Sequence, residues 1–366
     1  MREVILCTLT IVIAVITGGA WADESGVSQP QEWAFQMEKV WEIEKIGGDQ
    51  LLRPAEPRIS ENGTLYFRDF ERNKSYIIDP DGKPLGTFAP QGTNDGEVSF
   101  YFNCFPAGEN VAVCAPDKIH FFTVDGKFLK AVPNNLFARF PLAFKNENEF
   151  WVAPGALGDA GTDSVAVIHV NCASGKETAI HKFALSAEER KPSGGGLVVG
   201  LTPQALMSFD RQLDMICFGK NTDTILYWLP AGGGEGGSLS FSGTRRPVSE
   251  ADKRSHFAKF NIPEERVNTM IGILPDKMAY YHRMQIVDGL VYLFRADGIG
   301  YQTGQLVSVI SRDGRYLYRG EIQVEQAWHL TSPDNLRLAS GFVYAVQEDD
   351  AGNKKVVKYK VTLPRP

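Results

Sequence analysis

The chain has 366 residues, of which 43% are hydrophobic, and a formal net charge of −6. A chain of this length and composition can bury a large core, and its acidic balance gives no electrostatic reason to expect DNA or RNA binding. The 36 glycines and 20 prolines are compatible with a turn-rich all-β protein.

The first 22 residues have the organisation of a signal peptide. Arg2 precedes a long apolar run, and Ala20 and Ala22 place small residues at the two positions that a signal peptidase reads. We therefore predict cleavage after Ala22, a linker over 23–38 and export to the periplasm or the extracellular space, with no permanent membrane span. An uncleaved membrane anchor is the alternative, because the apolar run is almost long enough to cross a bilayer.

Three copies of one short pattern indicate internal repeats. The stretches "IIDPDGKPLGTF" at 77–88, "FFTVDGKFLKAV" at 121–132 and "VISRDGRYLYRG" at 309–320 each place Asp-Gly between two β-rich runs. Asp-Gly in this position is a strong hairpin signal, because glycine accepts the positive φ that the turn needs. Gly82 and Gly126 lie 44 residues apart, and a period in the forties is typical of a propeller or a similar array.

Degraded copies fill the gaps between these three. A short strand of apolar and aromatic residues recurs six times, each time preceded by a shorter run and followed by another apolar strand. The pattern predicts an all-β fold, a six-bladed β-propeller of four-stranded antiparallel blades that occupies 39–366. The predicted second strands of the six blades are centred near Leu65, Val111, Phe150, Met215, Val291 and Val343.

The two ends of the chain predict how the ring closes. The last repeat stops after its third strand, and residues 39–48 form a strand that no earlier repeat uses. An open ring would expose two sheet edges. We therefore expect 39–48 to pair with 355–363 as the outer strand of the last blade.

One segment between blades 4 and 5 departs from the β pattern. The sequence pattern of 249–272 predicts two short helices. Ser249 is the predicted N-cap of the first helix, Pro263 the first residue of the second helix, and Gly272 the glycine that ends it. Insertions on a rigid scaffold often carry function. We expect this one to cover the channel or to dock a partner, and the alternative is a peripheral decoration over a sheet edge.

The first repeat resembles a known family. The stretch "EPRISENGTLYFRDFERNKSYIIDPDGKPLGTF" at 56–88 is similar to an NHL-type repeat, and more broadly to the TolB-like six-bladed propellers of exported bacterial proteins, through Pro57, the turn Asn62-Gly63 and Asp69. The resemblance implies a bacterial host and binding of other molecules across one face of the ring. Some relatives, the amidating lyases and sugar lactonases, hold a metal at the centre of such a ring, so the fold alone does not decide the function.

The sequence offers little support for a metal or for a catalytic group. The six histidines are widely spaced, without an HExxH or HxH pair, and His120 and His169 lie in predicted third strands, which are blade interiors. We therefore predict no cofactor, with a channel calcium or zinc ion as the alternative. No hydrolase signature identifies a catalytic residue.

Four cysteines remain after the predicted cleavage, namely Cys104, Cys114, Cys172 and Cys217. An oxidising compartment would permit pairing. Cys104 and Cys114 flank the turn "PAGEN", so a disulfide across this hairpin is one possibility, and two reduced, buried thiols are the other.

Cationic residues recur near the start of the predicted inner strands. Arg58, Arg283 and Arg337 hold this place in blades 1, 5 and 6, with Asn103 and Arg139 at similar places in blades 2 and 3. Inner strands line the central channel. Arg58, Asn103, Arg283 and Arg337 are therefore the candidate binding site for an anionic ligand, a carboxylate or a phosphate.

The alternative for these arginines is structural, because each has an acidic residue nearby in the sequence. The three acids are Glu56, Asp288 and Asp334.

Two functions follow from these features. The first is an exported binding or scaffold protein that engages a protein or a small anionic ligand on one face of the ring. The second is a metal-assisted lyase or lactonase at the channel, and no clustered acid, base or ligand set in the sequence supports it.

Overall fold

Six antiparallel sheets form a six-bladed β-propeller, which confirms the predicted fold class. The structure is a computed structural model that describes residues 30–99, 103–115, 117–133, 139–192, 198–257, 262–296 and 304–365. The predicted signal peptide at 1–22 lies outside these residues. Successive inner strands contact one another from blade 1 to blade 6 and back to blade 1, so they surround a central axis.

The first three blades each contain four strands, given from the inner to the outer one. Blade 1 contains Pro54–Ile59, Leu65–Asp69, Lys74–Ile78 and Pro84–Phe88. Blade 2 contains Asn103–Ala107, Asn110–Cys114, Lys118–Thr123 and Phe128–Pro133. Blade 3 contains Arg139–Phe144, Glu149–Pro154, Ser164–Asn171 and Lys176–Ala184.

The other three blades follow the same order, with additions from the N-terminal segment. Blade 4 contains Ala205–Asp210, Met215–Lys220, Ile225–Pro230 and Gly237–Ser240. Blade 5 contains Tyr281–Val287, Leu290–Arg295, Gly304–Ser311 and Tyr316–Gln323, with Gln31–Glu32 added outside. Blade 6 contains two inner pieces, Trp328–Leu330 and Leu336–Ala339, then Phe342–Asp349, Lys354–Val361 and Met37–Ile43. All six predicted second strands lie second in their blades.

The Asp-Gly repeat combines a turn with a contact between blades. In blade 2, Gly126 has φ 86° and its N–H donates to Thr123 O at 2.9 Å, which closes a three-residue hairpin loop. A Cβ on Gly126 would lie 2.8 Å from Ile77 Cδ1 and 3.2 Å from Phe88 Cβ of blade 1. Glycine is therefore required both by the turn and by the packing of the neighbouring blade.

The other two copies repeat this arrangement. A Cβ on Gly82 of blade 1 would lie 2.9 Å from the Trp41 ring of the strand that completes blade 6. A Cβ on Gly314 of blade 5 would lie 3.0 Å from Leu239 Cβ in the outer strand of blade 4. The recurring pattern thus marks points where one blade packs against the one before it.

The pairing of Met37–Ile43 with Lys354–Val361 confirms the predicted closure of the ring. The pair is antiparallel, with Met37 opposite Val361 and Ile43 opposite Val356. The strand begins two residues before the predicted start and ends at Ile43, because the chain then turns into a small hairpin of Lys45–Ile46 with Asp49–Gln50.

An ion network around the buried Lys355 reinforces this closure. Lys355 is 2% exposed, and its Nζ lies 2.9 Å from Glu42 Oε2 and 2.7 Å from Glu325 Oε2. Lys39 on the closing strand also contacts Glu325 at 3.1 Å. The ammonium of Lys355 lies 3.8 Å from the Trp328 ring centroid, so the cation is also stabilised by an aromatic face.

Part of the segment that we interpreted as a linker belongs to the propeller. Gln31–Glu32 pairs in parallel with Tyr318 and Arg319 of blade 5. Gly320 lets this segment approach closely, since a Cβ there would lie 2.1 Å from Trp33 O. The segment therefore covers the outer edge of blade 5 before it completes blade 6.

Cys104 and Cys114 do not face each other, so a disulfide across their hairpin is not formed. Cys104 is opposite Val113, and Cys114 is opposite Asn103. This offset of one residue directs the two thiols to opposite faces of the sheet. All four of these cysteines are free.

The insertion forms the two predicted helices, α1 (Glu250–Phe257) and α2 (Glu264–Ile273). Ser249 caps α1, because its Oγ accepts from the N–H of Asp252 at 3.1 Å. Pro263 is the N-cap of α2 instead of its first helical residue. Gly272 lies inside the last turn instead of closing it, because the helix continues to Ile273.

Deleting residues 23–48 removes the outer strand of blade 6 and its ion network. We expect the melting temperature to fall by ~10 °C or more, because a strand of seven residues and its buried contacts are lost. Circular dichroism melting of the two proteins measures the difference. An unchanged melting temperature would show that the ring does not depend on this strand.

Gly126→Ala and Gly175→Ala form a matched pair that tests the contact between blades. Both glycines have positive φ, 86° and 65°, but Gly175 has no atom within 4 Å of its virtual Cβ. Both variants should lose about 1 kcal/mol from backbone strain. Gly126→Ala should lose about 1–3 kcal/mol more, because blade 1 must move. Chemical denaturation measures both, and equal losses would contradict a packing role for Gly126.

Candidate functional site

The candidate site residues lie at the end of the channel where the inner strands begin. Asn103, Arg283 and Arg337 lie within the first three residues of inner pieces in blades 2, 5 and 6. The prediction that Arg58 lies near the start of its strand is wrong, because Arg58 is the fifth of the six residues of Pro54–Ile59 and follows a bulge. Its side chain nevertheless reaches Asn103 Oδ1. Blades 5, 6, 1 and 2 are successive members of the ring, so one side of this end carries all four residues. Of Arg139 only the backbone is described, so its predicted role stays a prediction.

Arg58 and Asn103 connect blade 1 to blade 2. Arg58 donates from Nη2 to Asn103 Oδ1 at 2.8 Å and from Nε to Cys104 O at 2.9 Å. Its guanidinium also lies 5.3 Å from the centroid of the Phe105 ring. Nη1 also donates to Pro57 O at 3.4 Å, so each of the three nitrogens of Arg58 has a partner and its first role is to link the two blades.

Arg283 is a desolvated cation with few partners. The residue is 8% exposed, and its guanidinium carbon lies 3.7 Å from the centroid of the Phe294 ring. Nη1 donates to Pro333 O at 2.9 Å, whereas Nε and Nη2 are buried and have no hydrogen-bond partner among the described residues. Burial lowers the pKa of Arg283 to about 9, against the attraction of Asp334.

Arg337 lies among the other charged groups of the cluster. It is 8% exposed. Its Nη1 donates to Leu336 O at 3.1 Å, which is its one hydrogen bond to the described residues. Burial lowers its pKa well below the ordinary value, and the nearby cations Arg58 and Arg283 lower it further. The carboxyl groups of Asp334 and Glu56 only partly oppose this destabilisation of the cation.

Two carboxyl groups accompany the three arginines. Asp334 stays ionised, because His282 and the three arginines lower its pKa against the effect of burial. Glu56 differs, since burial raises its pKa to about 7. Near neutral pH the cluster of Arg58, Arg283 and Arg337 with these two acids therefore carries a net positive charge.

The predicted structural alternative, local ion pairs for each arginine, is met only in part. Arg283 Nη1 lies 3.9 Å from Asp334 Oδ1, which is longer than a hydrogen bond. Glu56 makes no ion pair within 4 Å among the described residues. Asp288, on the turn between the first two strands of blade 5, accepts a hydrogen bond from Ser340 of blade 6. The cations thus exceed the acids that neutralise them.

Arg211 closes the opposite end of the channel, and sequence reasoning did not identify it. It lies on the first turn of blade 4, yet Nε contacts Glu61 Oε1 of blade 1 at 2.9 Å. Nη1 donates to Lys145 O of blade 3 at 2.7 Å, and Nη2 donates to Pro106 O of blade 2 at 3.4 Å. Blades 1 and 4 face each other across a ring of six, so this side chain spans the axis. The signal in the sequence is only that Arg211 and Glu61 hold equivalent positions, each on the turn between the first two strands of its own blade.

The insertion lies on the face of the ring where the inner strands begin. It packs through Phe257, Val267 and Ile271 against Val198 and Leu201 from the connection between blades 3 and 4. The helices therefore lie on the same face as the starts of the inner strands, between blades 4 and 5, and their place near the rim of the candidate site stays a prediction.

Histidines do not form a metal centre within the described part of the chain. His120 and His169 lie in third strands, as predicted. His282 accompanies the arginine cluster, but its Nε2 is 3.0 Å from Gln305 Oε1, and burial lowers its pKa to about 4. Among the residues that the structure describes, no three His, Cys, Asp or Glu side chains are placed to hold a metal.

The same residues contain no helix that is both long enough and apolar enough to cross a bilayer.

Solved structures with a similar fold share little sequence with this chain. A DUF4221-family member from Bacteroides vulgatus has a TM-score of 0.55 at 9% identity, over 90% of this chain and 99% of that one. A Bacteroides fragilis protein for which export is inferred has a TM-score of 0.52 at 11% identity, over 90% and 96%. Virginiamycin B lyase from Staphylococcus aureus has a TM-score of 0.42 at 12% identity, over 90% of each chain.

The two Bacteroides similarities support the fold alone, because both identities are low, and the similarity to the lyase, with its lower TM-score, carries no argument. No protein-family model and no curated protein matches the chain. The similarity extends to six-bladed propellers in general, so membership of the NHL or TolB-like group stays a prediction.

Glu56→Gln tests the unusual carboxyl group of the cluster. In the folded state Glu56 stays protonated up to about pH 7, whereas its ordinary pKa is 4.5, so the wild type loses stability as pH rises through this window. We expect the variant to be more stable than the wild type by about 2 kcal/mol at pH 8 and nearly equal to it at pH 4. Urea denaturation at both pH values measures this.

Glu71→Gln, at an exposed position, is the control and should show no such difference between the two pH values. A Glu56→Gln variant that is destabilised at pH 8 would show instead that Glu56 is ionised and stabilised by the arginines.

Proposed function

We propose that this protein is an exported binding protein that holds a small anionic ligand at the arginine end of its channel. One observation carries the proposal: Arg58, Arg283 and Arg337 are clustered around two acids, of which Glu56 is partly protonated near pH 7. Buried charge of one sign is costly unless an ion of the other sign compensates it. A carboxylate or a phosphate would provide that compensation.

Arg337 is the residue that we assign to the ligand. Arg58 is occupied by Asn103 and Cys104, and the free donors of Arg283 lie against Phe294. In Arg337 only Nη1 donates a hydrogen bond to the described residues. Its Nε and Nη2 are not among the buried polar atoms that lack a partner, so they remain accessible to a ligand. A guanidinium with two adjacent free N–H groups matches the two oxygens of a carboxylate or a phosphate.

The ring favours a small ligand over a protein chain. The contact of Arg211 with Glu61 spans the axis at the far end, so a ligand reaches the arginines from the other face. Arg283 and Arg337 are each 8% exposed, and side chains this enclosed admit a small group more readily than a protein surface.

Export rests on the sequence pattern of residues 1–22 and agrees with the similarity to a Bacteroides fragilis protein for which export is inferred. The second function, a metal-assisted lyase or lactonase, has no specific observation in its favour among the described residues.

Arg337→Gln and Arg315→Gln test the site as a matched pair. Both changes remove one positive charge from the protein, but Arg315 has a side chain that is 67% exposed on an outer turn of blade 5. Isothermal titration with inorganic phosphate and with lactate measures binding. We expect Arg337→Gln to weaken binding at least ~10-fold, and Arg315→Gln to leave it within ~2-fold of the wild type.

Circular dichroism melting of each variant shows whether it is folded. Arg337→Lys, which retains the charge but not the paired donors, should retain part of the affinity. The proposal fails if the wild type binds neither anion, or if the two glutamine variants bind them equally well.

A further inference from the structure

Asp334 places an unused acceptor beside the arginines. It lies on the short 3-10 turn Pro333–Asn335, between the two inner pieces of blade 6. Its carboxylate makes no hydrogen bond to the described residues, and the nearest cationic nitrogen is Arg283 Nη1 at 3.9 Å. The side chain is 45% exposed although charged groups surround it, so the carboxylate faces the water-accessible part of the channel end.

The protein holds this turn in place with several contacts. Ser332 Oγ accepts from the N–H of Asp334 at 3.3 Å, and Asn335 Nδ2 donates to Thr331 Oγ1 at 2.6 Å. Asn335 Oδ1 in turn accepts from the N–H of Glu56 at 2.8 Å, where the backbone has a strained φ of 57°. These contacts fix the backbone that carries Asp334, so its carboxylate stays near the arginines.

Glu56 adds a second group without a partner. Its Oε2 is buried and has no hydrogen bond to the described residues. Arg337 is close enough to both acids for their charges to shift its pKa. The N–H groups of Arg337, which can bind an anion, thus lie near the carboxyl oxygens of Asp334 and Glu56, which can accept a hydrogen bond.

We infer that the ligand is a carboxylate that carries a hydroxyl or an ammonium group on its α carbon, which is a 2-hydroxy acid or a 2-amino acid. The carboxylate meets the free N–H groups of Arg337, and the α substituent donates to Asp334. This inference rests on the proposed function, and it goes beyond the requirement for an anion because it assigns a separate role to Asp334.

The physical reason is the asymmetry of a hydrogen-bonding site. Binding removes water from the acceptor, here the carboxylate of Asp334. A ligand that offers no donor in place of that water binds more weakly. A plain carboxylate would neutralise Arg337 but would also bring its own negative charge close to Asp334. A ligand with an α donor offsets this repulsion with a hydrogen bond to Asp334.

Propionate, L-lactate and L-alanine test the inference, because they share one carbon skeleton and differ at the α carbon by hydrogen, hydroxyl and ammonium. Isothermal titration of the wild-type protein should show that lactate or alanine binds at least ~10-fold more tightly than propionate. Asp334→Asn should reduce that ratio to ~2-fold or less, and it should bind propionate at least as tightly as the wild type does. Asp350→Asn, which changes a side chain that is 95% exposed, should keep the wild-type ratio.

The wild-type measurement decides the inference even if Asp334→Asn does not fold. Equal affinities for the three compounds would overturn the inference and leave the proposed function in place. Binding of none of them, and no binding of phosphate, would overturn the proposed function itself. An Asp334→Asn variant that folds and retains the ratio would remove Asp334 from the assigned role.

Discussion

Coverage of strand edges is the constraint on which the rest of this structure depends. Each blade ends in an outer strand with unpaired backbone groups, and a chain of blades must also join its last member to its first. Here the strand from Met37 to Ile43 completes blade 6, and Trp41 donates from its indole nitrogen to Pro80 O of blade 1 at 3.0 Å. One segment thus completes a sheet and contacts the next blade, so the ring becomes a single cooperative unit.

The closed ring explains why charges accumulate at its axis. The inner strands of neighbouring blades contact one another around the axis, and side chains that point into the channel are largely removed from bulk water, as Arg283 and Arg337 are at 8% exposure. Arginines that would be solvated on an isolated sheet therefore become neighbours, and burial lowers the pKa of Arg283 and Arg337. The same confinement raises the pKa of Glu56 to about 7. The site is a consequence of the architecture together with the inner-strand residues of blades 5, 6, 1 and 2.

The two ends of the channel use arginine in different ways. Arg211 donates to carbonyl oxygens of two other blades and pairs with Glu61, so its donors are largely satisfied and hold the ring together. Arg337 has one such contact and four nearby charged groups, two cations and two acids, with opposing effects. The number of satisfied donors separates a structural arginine from one that is available to a ligand, and the sequence alone does not show this number.

The sequence by itself determined the number of blades, the second strand of each blade and the closing strand, because these depend on local signals. Alternating apolar runs and Asp-Gly turns such as those at Gly82 and Gly126 act over a few residues, and a repeat makes them visible.

The tertiary structure alone decided the contacts between distant residues. The one-residue offset between Cys104 and Cys114, the reach of Arg211 across the axis and the satisfaction of Arg58 by Asn103 depend on register and on the packing of separate blades. Register and ring geometry are set by the whole core, and no short stretch of the chain contains that information.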